Sequence, residues 1–196
     1  MRIKFAYSDI YDIYLYYQKH KFDKNYDFTK NIRKGKAFAA KMQKLYNKNR
    51  RVFDIMSKVS GLKWREKEIK VYVCNFLEWD FSDPVTIKVR KNMADAFETF
   101  VHEMSHQLIE FQNLGMGYWR KANNWVGKKY SKEPSPIRRH ILEHAILYKT
   151  YLEFYGKKRT MAIIKEYKDE GWKWHYEAWQ IALKEGPDKI IKAFVR

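Results

Sequence analysis

The chain has 196 residues, and its composition limits the kind of protein it can be. Hydrophobic residues make up 45% of it and aromatic residues 17%, which favours a packed globule and argues against intrinsic disorder. The single cysteine, Cys74, excludes an internal disulfide and a zinc finger or ribbon built on cysteine pairs. The length fits one domain, which is the organisation we predict.

The charge is strongly positive, with 40 Lys and Arg against 23 Asp and Glu and a net charge of +17. Such a balance fits a nucleic-acid partner, but the basic residues are spread over the chain and form no single tract. This distribution is typical of solvated helix faces, so nucleic acid is a possible partner that the sequence does not favour. The first five residues lack the apolar stretch of a signal peptide, and we expect a cytoplasmic protein with no membrane partner.

The first third of the chain is predicted to be helical. An amphipathic helix follows Ser8 and Asp9, and its aromatic residues are assigned to packing. A longer helix is expected from about Asp27 or Thr29 to Val59, ending at Ser60 and Gly61. The apolar residues of the first helix are Tyr11, Tyr14, Leu15 and Tyr17.

A short β region comes next. The segments 68–74 and 84–89 alternate apolar and polar residues with the period of a strand, and the turn signal Ser82-Asp83-Pro84 precedes the second. The pattern predicts a small antiparallel sheet with Cys74 buried in a strand.

A helix is predicted directly after the second strand, from Met93 to about Gln112, with Asn92 as its cap and 114–117 as its stop. At about 100° per residue, its apolar residues fall on one stripe and two histidines fall opposite. The stripe consists of Phe97, Phe100, Val101, Met104, Leu108 and Phe111.

The two histidines belong to the segment His102-Glu103-Met104-Ser105-His106, a His-Glu-x-x-His motif. On a helix, His102 and His106 lie one turn apart and can bind one zinc ion, while Glu103 can reach a water on that ion. A hydrogen-bonded core histidine would be expected on the apolar stripe. A solvated polar face stays open as a second interpretation, although the uncharged residues around the motif are unusual for an exposed face.

A second long helix is expected from the Ser135 cap and Pro136 to a stop at Gly156. It carries His140-Ile141-Leu142-Glu143-His144 and is apolar nearly all round, which predicts burial on several sides. Further helices are predicted at 161–168, 172–185 and 188–195, so the fold class is a mostly helical α+β protein.

The order of strand, turn, strand, His-Glu-x-x-His helix and a later helix with a glutamate resembles the gluzincin group of zincin metallopeptidases. The small size makes the chain similar to the archaeal minigluzincins. The resemblance covers about residues 68–155. It implies one zincin-like domain over 1–196, with N-terminal helices at 1–61, a catalytic core at 68–156 and C-terminal helices at 157–196.

The resemblance also implies a zinc ion bound by His102, His106 and Glu143, which lies 37 positions after His106. Gluzincins often place an acidic residue four positions after this ligand, where the present chain has Leu147. His144 and His140 compete for the role, because a catalytic zinc site needs three protein ligands and a water.

The implied activity is hydrolysis of a peptide or protein substrate by a zinc-activated water with Glu103 as general base. An edge strand at 85–89 would hold the substrate. Candidates for stabilising the oxyanion are Tyr148, Tyr155, His175 and Tyr176. Two other functions stay open at this point: a DNA-associated protease similar to the SprT group, and a non-enzymatic basic helical binding protein.

Overall fold

The structure is a computed structural model that describes residues 1–20, 27–110 and 124–195, of which residues 19, 20 and 110 are described by their backbone alone. Within these ranges no helix is both long enough and apolar enough to cross a membrane. The elements in chain order are β1 (Arg2–Tyr7), α1 (Asp9–His20), α2 (Phe28–Asn49), α3 (Arg51–Ser60), β2 (Glu68–Cys74), β3 (Phe81–Ser82), β4 (Val85–Lys88), α4 (Met93–Glu110), α5 (Trp125–Lys129), α6 (Ser135–Tyr155), α7 (Lys157–Asp169), α8 (Lys173–Glu185) and α9 (Pro187–Val195).

These elements form two compact units. The first contains Met1–Arg50 and Glu66–Gln107, and the second contains Arg51–Arg65 and Leu108–Arg196. The mostly helical α+β class is confirmed. The single zincin-like domain stays a prediction.

The first unit is built on a mixed sheet in the order β1-β2-β4-β3. β2 pairs in parallel with both β1 and β4, while the two-residue strand β3 pairs antiparallel with β4. The expected antiparallel sheet is therefore wrong except for this last pair. β1 was not predicted at all, because only Ile3 among its residues is fully buried and the apolar alternation is weak.

β4 lies inside the sheet, so the predicted edge strand at 85–89 is also wrong. Thr86 is in register with Tyr72 of β2 on one side and with Phe81 of β3 on the other. Beyond the end of β3, the backbone N–H of Lys88 donates to Asp80 Oδ1 at 2.7 Å. A peptide cannot add a full strand to β4 because β3 and Asp80 occupy that side.

In the first unit, α2 packs against β1 and β2, and α1 packs against β2. Gln43 of α2 accepts from Phe5 N and donates to Ile3 O, each at 3.1 Å, so its amide satisfies backbone groups at the free edge of β1. On α1, Asp12 is fully buried and Tyr16 is buried, whereas Tyr14 is 60% exposed. The assignment to packing is thus wrong for Tyr14, whereas Tyr11 contacts Tyr72 and Tyr17 contacts Tyr16. The carboxylate of Asp12 takes an inward position and accepts hydrogen bonds from Asn75 and Phe76.

The predicted helix ends are confirmed where a side chain or glycine sets them. Asp27 caps α2, Asn92 Oδ1 accepts from Ala94 N at 3.0 Å to cap α4, and α6 ends at Gly156. Arg50 separates α2 from α3, so the single long helix expected there is two helices. The expected stop at 114–117 lies outside the described residues.

The second unit is helical, and α6 is its central element, in contact with α3, α7, α8 and α9. The burial predicted for α6 on several sides is confirmed, with Ile141, Leu142, Ala145 and Ile146 all inaccessible to solvent. Its cap differs from expectation: Pro134 precedes the helix and makes no side-chain capping bond, and Ser135 is the first helical residue.

Candidate metal centre

The His-Glu-x-x-His motif lies on α4, as predicted. Phe97, Phe100, Val101 and Met104 are buried and form the apolar stripe. His102 is only 6% exposed and His106 is half-buried, so the motif is not on a solvated face. The two imidazole rings lie one helical turn apart with centroids at 5.1 Å, which lets one ion contact both.

Glu103 is half-buried beside them, with a guanidinium in its electrostatic neighbourhood. Burial acts to lower the pKa of Arg90, but the hydrogen bond and charge of Asp80, with further charge from Asp95 and Glu103, raise that pKa above its ordinary value. Arg90 Nε lies 3.3 Å from Asp95 Oδ2. Glu103 therefore lies within electrostatic reach of a cation that two other carboxylates hold in place.

Two further ligand groups lie on α6, three residues apart. Glu143 is fully buried, and its Oε2 is 3.5 Å from His140 Nε2. His140 Nδ1 lies 2.5 Å from the carbonyl oxygen of Pro136. Since a carbonyl only accepts, Nδ1 carries the proton and donates, which leaves the lone pair of Nε2 on the side of Glu143.

The protonation state of His140 determines how its Nε2 interacts with the Glu143 carboxylate. Burial lowers the pKa of His140 to about 4, so the imidazole is neutral near pH 7. A neutral Nε2 and a carboxylate oxygen are both acceptors, and at 3.5 Å they repel unless a proton or cation lies near both. A metal ion is one group that would make this arrangement favourable.

His102, His106, His140 and Glu143 make up a group of side chains that could hold a metal ion. His102 and Glu143 are buried, and the two other residues are half-buried. Imidazole and carboxylate ligands suit Zn²⁺, although the same set would also bind other transition metals.

His144, the competing ligand of the sequence analysis, is not part of this group. Its ring stacks on Trp179 of α8, with centroids at 4.2 Å and planes 8° apart, and it is fully buried. Tyr167 of α7 lies at its edge, 5.9 Å away. These contacts give His144 a packing environment.

His175 of α8 lies beside the α6 pair, with its ring centroid 4.1 Å from that of His140. Burial, and then the charge of His140, lower the pKa of His175 to about 3, so this ring is also neutral near pH 7. The catalytic role of His175 stays a prediction. Its ring also packs against His140, a member of the group that could hold a metal ion.

The tyrosine candidates lie on α6 and α8. Tyr148 is half-buried five residues after Glu143, which on a helix places it about 140° around the axis from that carboxylate. Tyr155 contacts Tyr151 and Phe154, and Lys168 Nζ lies 5.8 Å from the ring centroid of Tyr176. The catalytic role of Tyr148 stays a prediction.

Sequence reasoning named His140 only as a competitor for a single position, and did not include it with Glu143 in one set. The signal was present, because residues three apart on a helix lie about 60° apart and can approach the same ion. No known protein family, curated protein or solved structure matches the chain. The resemblance to gluzincins therefore rests on the motif and the order of elements.

Proposed function

We propose that the chain is a zinc metallopeptidase in which His102, His106 and Glu143 hold the ion and Glu103 is the general base. One observation carries the proposal. The group of side chains that could hold a metal ion contains both histidines of the motif and also Glu143, the glutamate that the gluzincin resemblance implies.

The chemistry of the residues supports a metal in preference to a buried polar cluster. Glu143 is fully buried, and a buried carboxylate costs several kcal/mol unless a charge of opposite sign compensates it. Its Oε2 lies 3.5 Å from Nε2 of His140, the acceptor nitrogen of a neutral imidazole. A divalent cation would compensate the carboxylate and bind the imidazole lone pair at the same time.

Peptide hydrolysis would use these residues as follows. A zinc ion, when bound, lowers the pKa of a coordinated water towards neutrality and polarises a carbonyl. A carboxylate oxygen of Glu103 accepts the proton of the attacking water and then delivers it to the leaving amine. Arg90, whose pKa the charge of Glu103 helps to raise, is a cation in the electrostatic neighbourhood of this carboxylate.

The test is the pair of variants Glu103→Gln and Glu98→Gln. Both remove one carboxylate from α4, but Glu98 lies outside the motif. We expect each variant to retain about one zinc per chain by elemental analysis. Hydrolysis of a mixed peptide library should fall at least about a hundredfold in the first variant, since a general base contributes this much, and should stay unchanged in the second.

Two results would contradict the proposal. Purified protein that contains no stoichiometric zinc, and takes none up, would favour a non-enzymatic binding protein with a chance motif. Undiminished turnover in Glu103→Gln would remove Glu103 from the mechanism, because no proton acceptor would then be needed at that position.

A further inference from the structure

The metal-binding group contains one ligand more than peptide hydrolysis needs. Catalytic zinc sites use three protein ligands and keep a fourth position for water or substrate, whereas four protein ligands are typical of structural sites. Here His102, His106 and Glu143 already supply three, and His140 belongs to the same group. The role of the fourth residue decides whether the site is open.

His140 is oriented as a ligand. The contact between its Nδ1 and the Pro136 carbonyl fixes the ring and leaves Nε2 as the metal-binding nitrogen. Metal-bound histidines commonly donate their second nitrogen to a backbone carbonyl in this way. The ring of His175, 4.1 Å away, restricts rotation from another side.

His140 is also the more accessible of the two α6 ligands. Its side chain is 14% exposed, while that of Glu143 is 0% exposed. Rotation of the imidazole away from Glu143 breaks its hydrogen bond to Pro136 and changes its ring contacts with His175 and His144. Movement of Glu143 away from the ion would instead separate a fully buried carboxylate from the cation.

We propose that His140 is a displaceable fourth protein ligand, which occupies the position that water and substrate need and so holds the peptidase in a closed state. The inference rests on the proposed function, because it concerns the same ion. Displacement of the imidazole opens the site, and Glu143 stays on the metal throughout.

The experiment uses the full chain loaded with Co²⁺, whose visible absorption reports the coordination number, and acetohydroxamate, which binds to an open metal position. The variants are His140→Ala and, as the control, Glu153→Gln, which lies on α6 at a 35% exposed position outside the metal-binding group. We expect the wild-type protein and the control to show the intense bands of a four-coordinate ion and to bind acetohydroxamate poorly. His140→Ala should bind it at least tenfold more tightly and should hydrolyse peptides at least tenfold faster.

Equal acetohydroxamate affinity in the wild-type protein and His140→Ala would overturn the inference while leaving the proposed function intact. Failure of the wild-type protein to take up Co²⁺ would overturn both, and the missing absorption identifies that case. X-ray absorption of the wild-type zinc protein provides a test that needs no variant: three bound imidazoles support the inference, and two contradict it.

Discussion

The buried carboxylate of Glu143 offers a test of metal binding through stability. Glu143→Gln keeps the size of the side chain but removes its charge, at a position that is fully buried on α6. In the absence of metal the variant should be at least as stable as the wild-type protein, because a neutral amide is less costly to bury than a carboxylate. In the presence of zinc the order should reverse.

The size of the reversal follows from binding linkage. At a free zinc concentration of 100 times the wild-type Kd, binding stabilises the folded state by about 2.7 kcal/mol. For a chain of this length, about 2–4 °C in Tm per kcal/mol gives a rise of about 5–11 °C. If loss of the carboxylate weakens binding about a hundredfold, the same zinc stabilises the variant by only about 0.4 kcal/mol, or about 1–2 °C.

Thermal unfolding followed by circular dichroism, with and without zinc, measures both quantities. The control is Glu153→Gln, which removes a carboxylate from the same helix at a 35% exposed position where Glu153 pairs with Lys58 at 3.0 Å. This control should keep the full zinc-dependent rise, and a chelator should reverse it. The reasoning is refuted if zinc raises the Tm of Glu143→Gln as much as that of the wild-type protein.

Two predictions concern the first unit. Gly35→Ala should destabilise it by about 1–3 kcal/mol in urea unfolding, although alanine is the better helix former, because the added Cβ would lie 2.0 Å from Tyr7 Cδ2. The penalty should shrink in a Tyr7→Leu background, and an unchanged penalty there would exclude the ring as its cause. The Cys74 thiol, whose pKa burial and then the charge of Asp12 raise to about 12, should resist a thiol-specific disulfide reagent at pH 8 until the protein is unfolded. Rapid labelling of the native protein would contradict that burial.

The helices were largely predictable because their ends depend on local chemistry. Asp27 and Asn92 accept hydrogen bonds from the first turns that follow them, and Gly156 ends α6 with a φ of 80°, a conformation that glycine adopts readily. The sheet was less predictable because strand pairing joins distant residues. β1 pairs with β2 across the whole of α1, α2 and α3, and nothing within Arg2–Tyr7 specifies a parallel partner at 68–74.

In the candidate site, too, the residues related by helix spacing were predictable from the sequence, and those selected by distant contacts were not. His102 and His106 could be paired from their spacing alone, since four residues along a helix place two rings on one face. On α6 the same spacing relates His140 to His144, so periodicity favours that pair as strongly as it favours His140 with Glu143. What separates them is Trp179, 35 positions after His144, whose indole stacks on His144 and assigns that ring to the packing of α8 against α6. The contact of His140 with the Pro136 carbonyl then orients Nε2 towards Glu143, and this orientation makes the two residues a ligand pair.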